Sequence, residues 1–453
     1  MKIFCPRLVV LLGYCFVADA FCPQSMTRLT TTSSRVEECV LMTTNTGALF
    51  LAANDETNSD RQSSPQQQQQ QQQKAKAVVS PVLYRDVVHI EKYARLPVWP
   101  AWNGVLLWMV GKLLGPTVAA KLEDVITGRV CPNFFQDGGD STSPFIMLVH
   151  HCHTFAPIDP LRYFQKLFFP EGFPAHPHRG FVTLTYFLDG GFLHRDSLGI
   201  EQVYGQNLQG VKHHSQWLST GAGLLHEEMF AQNAWWHWQR QELYQLWINL
   251  PSGAKMSQPY LLLLSDETET PVLRTDKGVM CRVLAGRFDA QHQAKVPTAS
   301  DLTVMHVALD SPGTSSWTYR VPELYETLIV YVRKGTLAVT GNDNAAVEII
   351  PAHHTAFFSR QGRQLHVTAK EANTDFMLLA GVSLKEPVSS QGSMVMNYPD
   401  EINQAYRDYQ VGLFGRPWPH TLSRQEWQTH VQQNPSAYRA VDGKDTTTSS
   451  QSN

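Results

Sequence analysis

At 453 residues the chain has room for two or three domains, and its 43% apolar content is that of a folded protein. A formal net charge of -3, with a pI near 6.6, gives no global basic field and excludes a nucleic-acid binder that works by overall charge. Seven scattered cysteines, none in a C-x-x-C pair, exclude a disulfide framework.

The amino end reads as two targeting signals in series. Lys2 and Arg7 precede the apolar run Leu8 to Val17, and Ala18-Asp19-Ala20 offers a cleavage site, so residues 1–20 are expected to be a signal peptide. Phe21 to Arg35 is rich in Ser and Thr, carries Arg28 and Arg35, and has no acid, which is transit-peptide chemistry. The pair resembles the bipartite plastid presequences of algae with secondary plastids and implies a plastid destination. Secretion, or an endomembrane location, is the alternative. From Ala53 to about Val79, polar residues and the Gln66–Gln73 tract cannot bury enough apolar surface to fold. Residues 21–80 are therefore expected to be a transit-like, low-complexity, disordered segment.

Residues 81–142 read as an extension with an apolar helical stretch. Val105, Leu106, Met109, Val110, Leu113 and Leu114 fall at helical spacing, with Trp99, Trp102 and Trp108 nearby. The uncharged run from Pro97 to Gly111 is short for a membrane span. The expectation is a helix packed on the domain, and a position at a membrane surface is the alternative.

From Ser143 the texture changes to short β-type runs bounded by Gly, Pro, Asn and Asp: Phe181–Leu188, Gln216–Ser219, Leu243–Leu250, Leu302–Leu309, Thr327–Val332 and Phe376–Leu379. Such spacing predicts an all-β sandwich or barrel, with helix returning only at Asp400–Tyr409. The run Phe181 to Gly190 is echoed by Tyr325 to Gly335, so two related barrels in tandem are the economical reading.

Two motifs carry chemistry. His176-Pro177-His178 and His226-Glu227-Glu228 each place metal-ligand types at i and i+2, on one face of an extended segment. Pro177 holds the backbone extended and biases His176 away from helix. Three imidazoles and one carboxylate suit divalent iron or a similar transition metal, whereas a hydrogen-bonded polar cluster is the bland alternative. The second copy has no H-x-H, and its His366 is followed by no acid. His150-His151-Cys152-His153, His213-His214 and His353-His354 have no partner motif and are expected to be structural or at the surface. His194 and Asp196 suit either a hydrogen bond behind the metal or a plain turn contact.

From Ser143 to Gly415 the chain resembles the pirins, bicupin proteins with two tandem cupin (jelly-roll) β-barrels. The matching stretches are His176-Pro177-His178-Arg179-Gly180-Phe181, His194-Arg195-Asp196-Ser197, Gln216-Trp217, Gly221 to Met229, Gln245 to Pro251, Ile350 to Ala356, Lys385 to Val388 and Met394 to Asn397. The resemblance implies an all-β fold with a few short helices, a metal-binding cupin at 143–262, a second cupin at 263–415 and a partly disordered tail at 416–453. It makes His176, His178, His226 and Glu228 the metal ligands, with Fe(2+), or another divalent transition metal, as cofactor. It implies a quercetin 2,3-dioxygenase-like reaction on a flavonol-like small molecule and dioxygen, with Glu228 doubling as base. Phe181, Trp217 and Phe230 are candidates to line the pocket, and ordinary core is the alternative for them. The alternative is a non-enzymatic, redox-responsive iron protein acting through a protein partner, without direct nucleic-acid contact. A monomer is expected, because each barrel covers a face of the other. One departure is Val182, where pirins usually have Glu; it costs no ligand. Trp418 and Trp427 are expected to dock the tail on the barrels.

Overall fold

The computed structural model describes residues 83–439, apart from 94–95, 98–101, 127, 136–140, 156–169, 232–238 and 343–346. The expected signal peptide and transit-like segment, the glutamine tract and the last residues of the tail lie outside the described residues.

Two β-barrels follow one another along the chain. The first is built on a ten-stranded sheet running through Tyr260–Leu264, Ser215–Ser219, Phe181–Asp196, Gln239–Asn249, Phe145–Phe155, Gly128–Phe134 and Leu96–Pro97. Glu201–Gln206 and Leu224–Ala231 branch from the far half of the long strand Phe181–Asp196, and Gly172–His178 pairs with Leu224–Ala231. The second barrel has a seven-stranded sheet and a four-stranded one. The echo strand Thr327–Lys334 and its neighbour Thr374–Gly381 lie at the centre of the larger sheet.

The central strands are almost continuously apolar because both of their faces are covered. Leu184, Tyr186, Leu246 and Ile248 of the first barrel share one buried cluster with Val304, Leu328, Val330 and Leu378 of the second. The barrels thus pack through their larger sheets, and alternation decides which side chains meet.

The extension is not one unit. Val87–Lys92 joins the second barrel as an edge strand beside His354–Phe358, whereas Gly128–Phe134 pairs with Phe145–Phe155 in the first. Arg85 anchors the strand's start by donating to the Tyr325, Glu326 and Gly362 carbonyls. Between them lie helices α1 (Trp102–Leu114) and α2 (Pro116–Ile126). Gly115, at a φ of 91°, and Pro116 break them apart. The expectation of a packed helix needs correction for α1. Leu107 is buried, but Trp108, Met109 and Leu113 are exposed, because α2 rather than α1 rests on the sheet. Among the described residues no helix is long and apolar enough to cross a membrane.

Helix α3 (Pro399–Gln410) begins at its proline, and α4 (Arg424–Gln433) begins at Ser423, whose hydroxyl accepts from the Glu426 amide.

Candidate metal centre

Three neighbouring strands of the first barrel build the centre. Gly172–His178 pairs antiparallel with Leu224–Ala231, setting His176 opposite His226. On its other edge Leu224–Ala231 pairs with Phe181–Asp196, setting Glu228 opposite His194 and His226 opposite Asp196. Cross-strand partners share a face, as do residues two apart, so all these side chains converge on one side.

The turn after His178 depends on Gly180. Its φ is 87°, and a Cβ there would lie 2.0 Å from the Val395 carbonyl oxygen. The buried Lys255 ammonium fastens this turn by donating to the carbonyls of Gly180 (2.9 Å) and Val395 (3.0 Å) and to Asn249 Oδ1 (2.5 Å).

Ligand-type atoms of His176, His178 and His226 all lie within 4.8 Å of one another. Glu228 is not in that group. It belongs to a second group of the same compactness, with His194 and again His226. His226 therefore joins the two halves, and its ring centre is 4.4 Å from that of His176, 4.7 Å from His178 and 5.5 Å from His194. Each oxygen of Glu228 receives one donor: the Tyr204 hydroxyl at 3.2 Å and the Gln245 amide at 2.9 Å. His194 Nε2 is 3.2 Å from Asp196 Oδ2, and the other Asp196 oxygen accepts from the amides of Leu198 and Ile200.

The residues fit a metal ion. His226 is fully buried, yet neither of its ring nitrogens has a hydrogen-bond partner. A neutral imidazole always presents one N–H and one lone pair, so a buried ring without partners is costly unless something else binds it. Burial pushes His176 down to about 4 and holds His178 and His226 well below the usual imidazole range, with neighbouring imidazoles adding to the effect. All three are then neutral near pH 7, the form that ligates. His176 Nδ1 donates to the Pro174 carbonyl at 2.7 Å and leaves Nε2 free, a common arrangement behind a metal-bound histidine. Burial raises the Glu228 carboxyl, while His194, Tyr204 and Gln245 pull it back.

The other histidines do different work. His150 lies buried between Glu242 and Tyr331, 3.0 Å from each, and His151 Nδ1 meets His153 Nε2 at 3.2 Å. His214 contacts Thr270 and Arg282. His354 and His366 bond the Ala352 carbonyl and the Thr318 hydroxyl. Among the described residues, no group of three metal-ligand side chains occurs in the second barrel.

Of the candidate pocket residues, Phe181 meets the His178 ring edge-on and packs tilted against Trp247, at ring distances of 5.1 and 4.4 Å. Phe230 packs with Phe155 and Phe192. Trp217 is instead part of the core between the barrels, and so is Val182, whose side chain points away from Phe181 by strand alternation. Tyr204 and Gln245 were not singled out from the sequence, because nothing in their local spacing shows that they face Glu228.

Residues 126–248 match the family model for pirin, and residues 304–415 match that for the pirin C-terminal cupin domain. A putative quercetin 2,3-dioxygenase of Pseudomonas aeruginosa is 35% identical over 244 residues, 53% of this chain and 80% of that protein. The chain belongs to the pirin family. Human pirin is 35% identical over 242 residues, 53% of this chain and 77% of its own. A crystal structure of quercetin 2,3-dioxygenase from Acinetobacter baumannii is similar at a TM-score of 0.57 and 27% identity, covering 73% of this chain and 98% of its own.

The tail that follows the pirin match closes over the back of the centre. Strand alternation points Leu225, Glu227 and Arg195 away from the imidazoles, and Leu225 packs in one buried cluster with Trp418, Trp427 and Val431. Arg195 donates to the Leu422 carbonyl at 2.8 Å and lies 5.5 Å over the Trp427 ring. Arg179, next to His178, donates to Asp408 and to the Tyr438 hydroxyl, both at 2.8 Å.

Proposed function

We propose that this pirin-family chain is an iron-dependent dioxygenase of the quercetin 2,3-dioxygenase type, acting on flavonol-like substrates. The observation that carries this reading is the convergence of two neutral imidazoles, His176 and His178, on a third, the buried and unpartnered His226, with Glu228 beside it. Relatives named for quercetin 2,3-dioxygenase support the same class. Divalent iron, or another divalent transition metal, would be held by His176, His178, His226 and Glu228. When bound, it supplies a Lewis acid and a template for substrate and dioxygen.

The chain's own residues do the rest. Glu228 accepts the flavonol hydroxyl proton on a carboxylate oxygen, and its burial makes it a stronger base than an exposed glutamate. Tyr204 and Gln245 hold that carboxylate in place. Phe181 and Trp247, beside His178, give a flat apolar wall that excludes water and suits an aromatic ring. We further propose that the protein works as a monomer in a plastid, delivered by residues 1–80. A fluorescent fusion of that segment entering the plastid supports delivery; accumulation along the secretory route contradicts it.

The test of function is oxygen uptake by protein reconstituted anaerobically with iron(II) and supplied with quercetin. Uptake that disappears in His176→Ala and Glu228→Ala supports the proposal. One bound iron per chain without uptake sinks the dioxygenase and leaves an iron protein that acts through partners.

A further inference from the structure

Helix α1 is built inside out. Trp108, Met109, Lys112 and Leu113 stand at i, i+1, i+4 and i+5, which is one face of a helix. That face points to solvent: Trp108 is 64% exposed and Leu113 82%. Leu114, at 65%, and the exposed Val118 carry the patch across the Gly115 break into α2. The opposite side is the packed one. Leu107 is buried there, and a Cβ on Gly111 would sit 3.6 Å from that of Ala119, so the two helices lie close together. A water-facing helix ordinarily shows the reverse pattern, and a contiguous exposed apolar patch marks an interaction surface.

We propose that this face docks on an anionic lipid surface. Three observations favour lipid over protein. Through the patch itself, Trp108 to Val118, the one charged residue is Lys112, and the acidic pair Glu123-Asp124 follows only at the end of α2, so the charge within the patch complements an anionic membrane. Lys112 lies within the apolar face, its ammonium 6.0 Å from the centre of the Trp108 ring. Tryptophan beside a lysine with a long aliphatic stem is the chemistry of a bilayer interface, where ring and stem are buried and the charge stays wet. Finally, α1 has 13 residues, a length of about 20 Å, which lets it lie in the headgroup plane but not span. Helix α1 precedes the pirin match and contributes no side chain to the metal-ligand groups.

Flotation of the full chain with phosphatidylcholine vesicles, with and without phosphatidylserine, tests the proposal. The wild type is expected to float with the phosphatidylserine vesicles. The double variant Trp108→Ser/Leu113→Ser should bind roughly tenfold or more weakly, because two apolar anchors are gone. Lys112→Glu should weaken binding to anionic vesicles more than to neutral ones. All these residues are exposed, so melting temperatures should stay unchanged. Absent flotation, or equal flotation of wild type and double variant, overturns the proposal, and the comparison discounts any contribution from the apolar run Leu8 to Val17. A wild type that sediments as a dimer, fails to float and becomes monomeric in the double variant also overturns it, assigning the face to a second copy.

Discussion

Glu228 keeps its place through two donors, the Tyr204 hydroxyl and the Gln245 amide. Removing either donor leaves one carboxylate oxygen free to turn, without touching an imidazole. Tyr204→Phe and Gln245→Leu are therefore each expected to weaken iron binding about 10–100-fold, as judged by competition with a chelator. His226→Ala should abolish stoichiometric binding, since His226 belongs to both ligand groups. The four ligand candidates were legible in the sequence because each pair lies at i, i+2, and that spacing alone puts two side chains on one face. Their division into two groups was not legible, and neither was the entry of His194 beside Glu228. Both follow from cross-strand register, which pairs residues 34 positions apart (194 and 228) and leaves no local trace. Whether Trp217 lines the pocket or the core stays open in the sequence for a related reason: a strand buried on both faces does not reveal which face meets the pocket.

At the scale of elements, the strands were read where apolar runs are uninterrupted and missed where glycine intervenes. Leu302–Leu309 matches its expected bounds, but Phe181–Leu188 continues to Asp196. Gly190-Gly191 reads as a turn; the chain instead bends there and carries on, with the Gly191 amide donating to Gln241 Oε1 at 2.7 Å. That continuation brings His194 to the centre and Arg195 to the tail. The tail's grip predicts that Trp427→Ala lowers stability by about 3–5 kcal/mol in chemical denaturation, the usual cost of emptying a buried tryptophan site. The contact between the barrels makes a second, pH-dependent prediction. Burial alone would raise Glu242, but hydrogen bonding to His150 and the Arg333 guanidinium at 2.8 Å bring it down to about 2. A depressed carboxylate stabilises the fold above its ordinary value of 4.5 and loses that contribution as pH falls from there to about 2. Glu242→Gln should therefore lower the melting temperature at pH 7, at a cost of roughly 3 kcal/mol for breaking a buried pair, and should flatten its decline between those pH values.

At the scale of the molecule, one apolar cluster spans both barrels, and Val87–Lys92, the first strand among the described residues, pairs into the second. Neither barrel can lose its larger sheet without stripping the other's core. Calorimetry of the metal-free protein is expected to give a single cooperative transition, and two resolved transitions would contradict a shared core. The same architecture seats the centre in the first barrel alone, with the second barrel and the tail as its support. The proposed reaction is turnover of a flavonol with dioxygen at this centre. The most direct measurement mixes anaerobic, iron(II)-loaded protein with one equivalent of quercetin, admits oxygen, and follows loss of the flavonol absorbance. Loss matched mole for mole by oxygen uptake is expected in the wild type and none in His178→Ala. An iron-loaded wild type that leaves quercetin intact would contradict the proposed reaction.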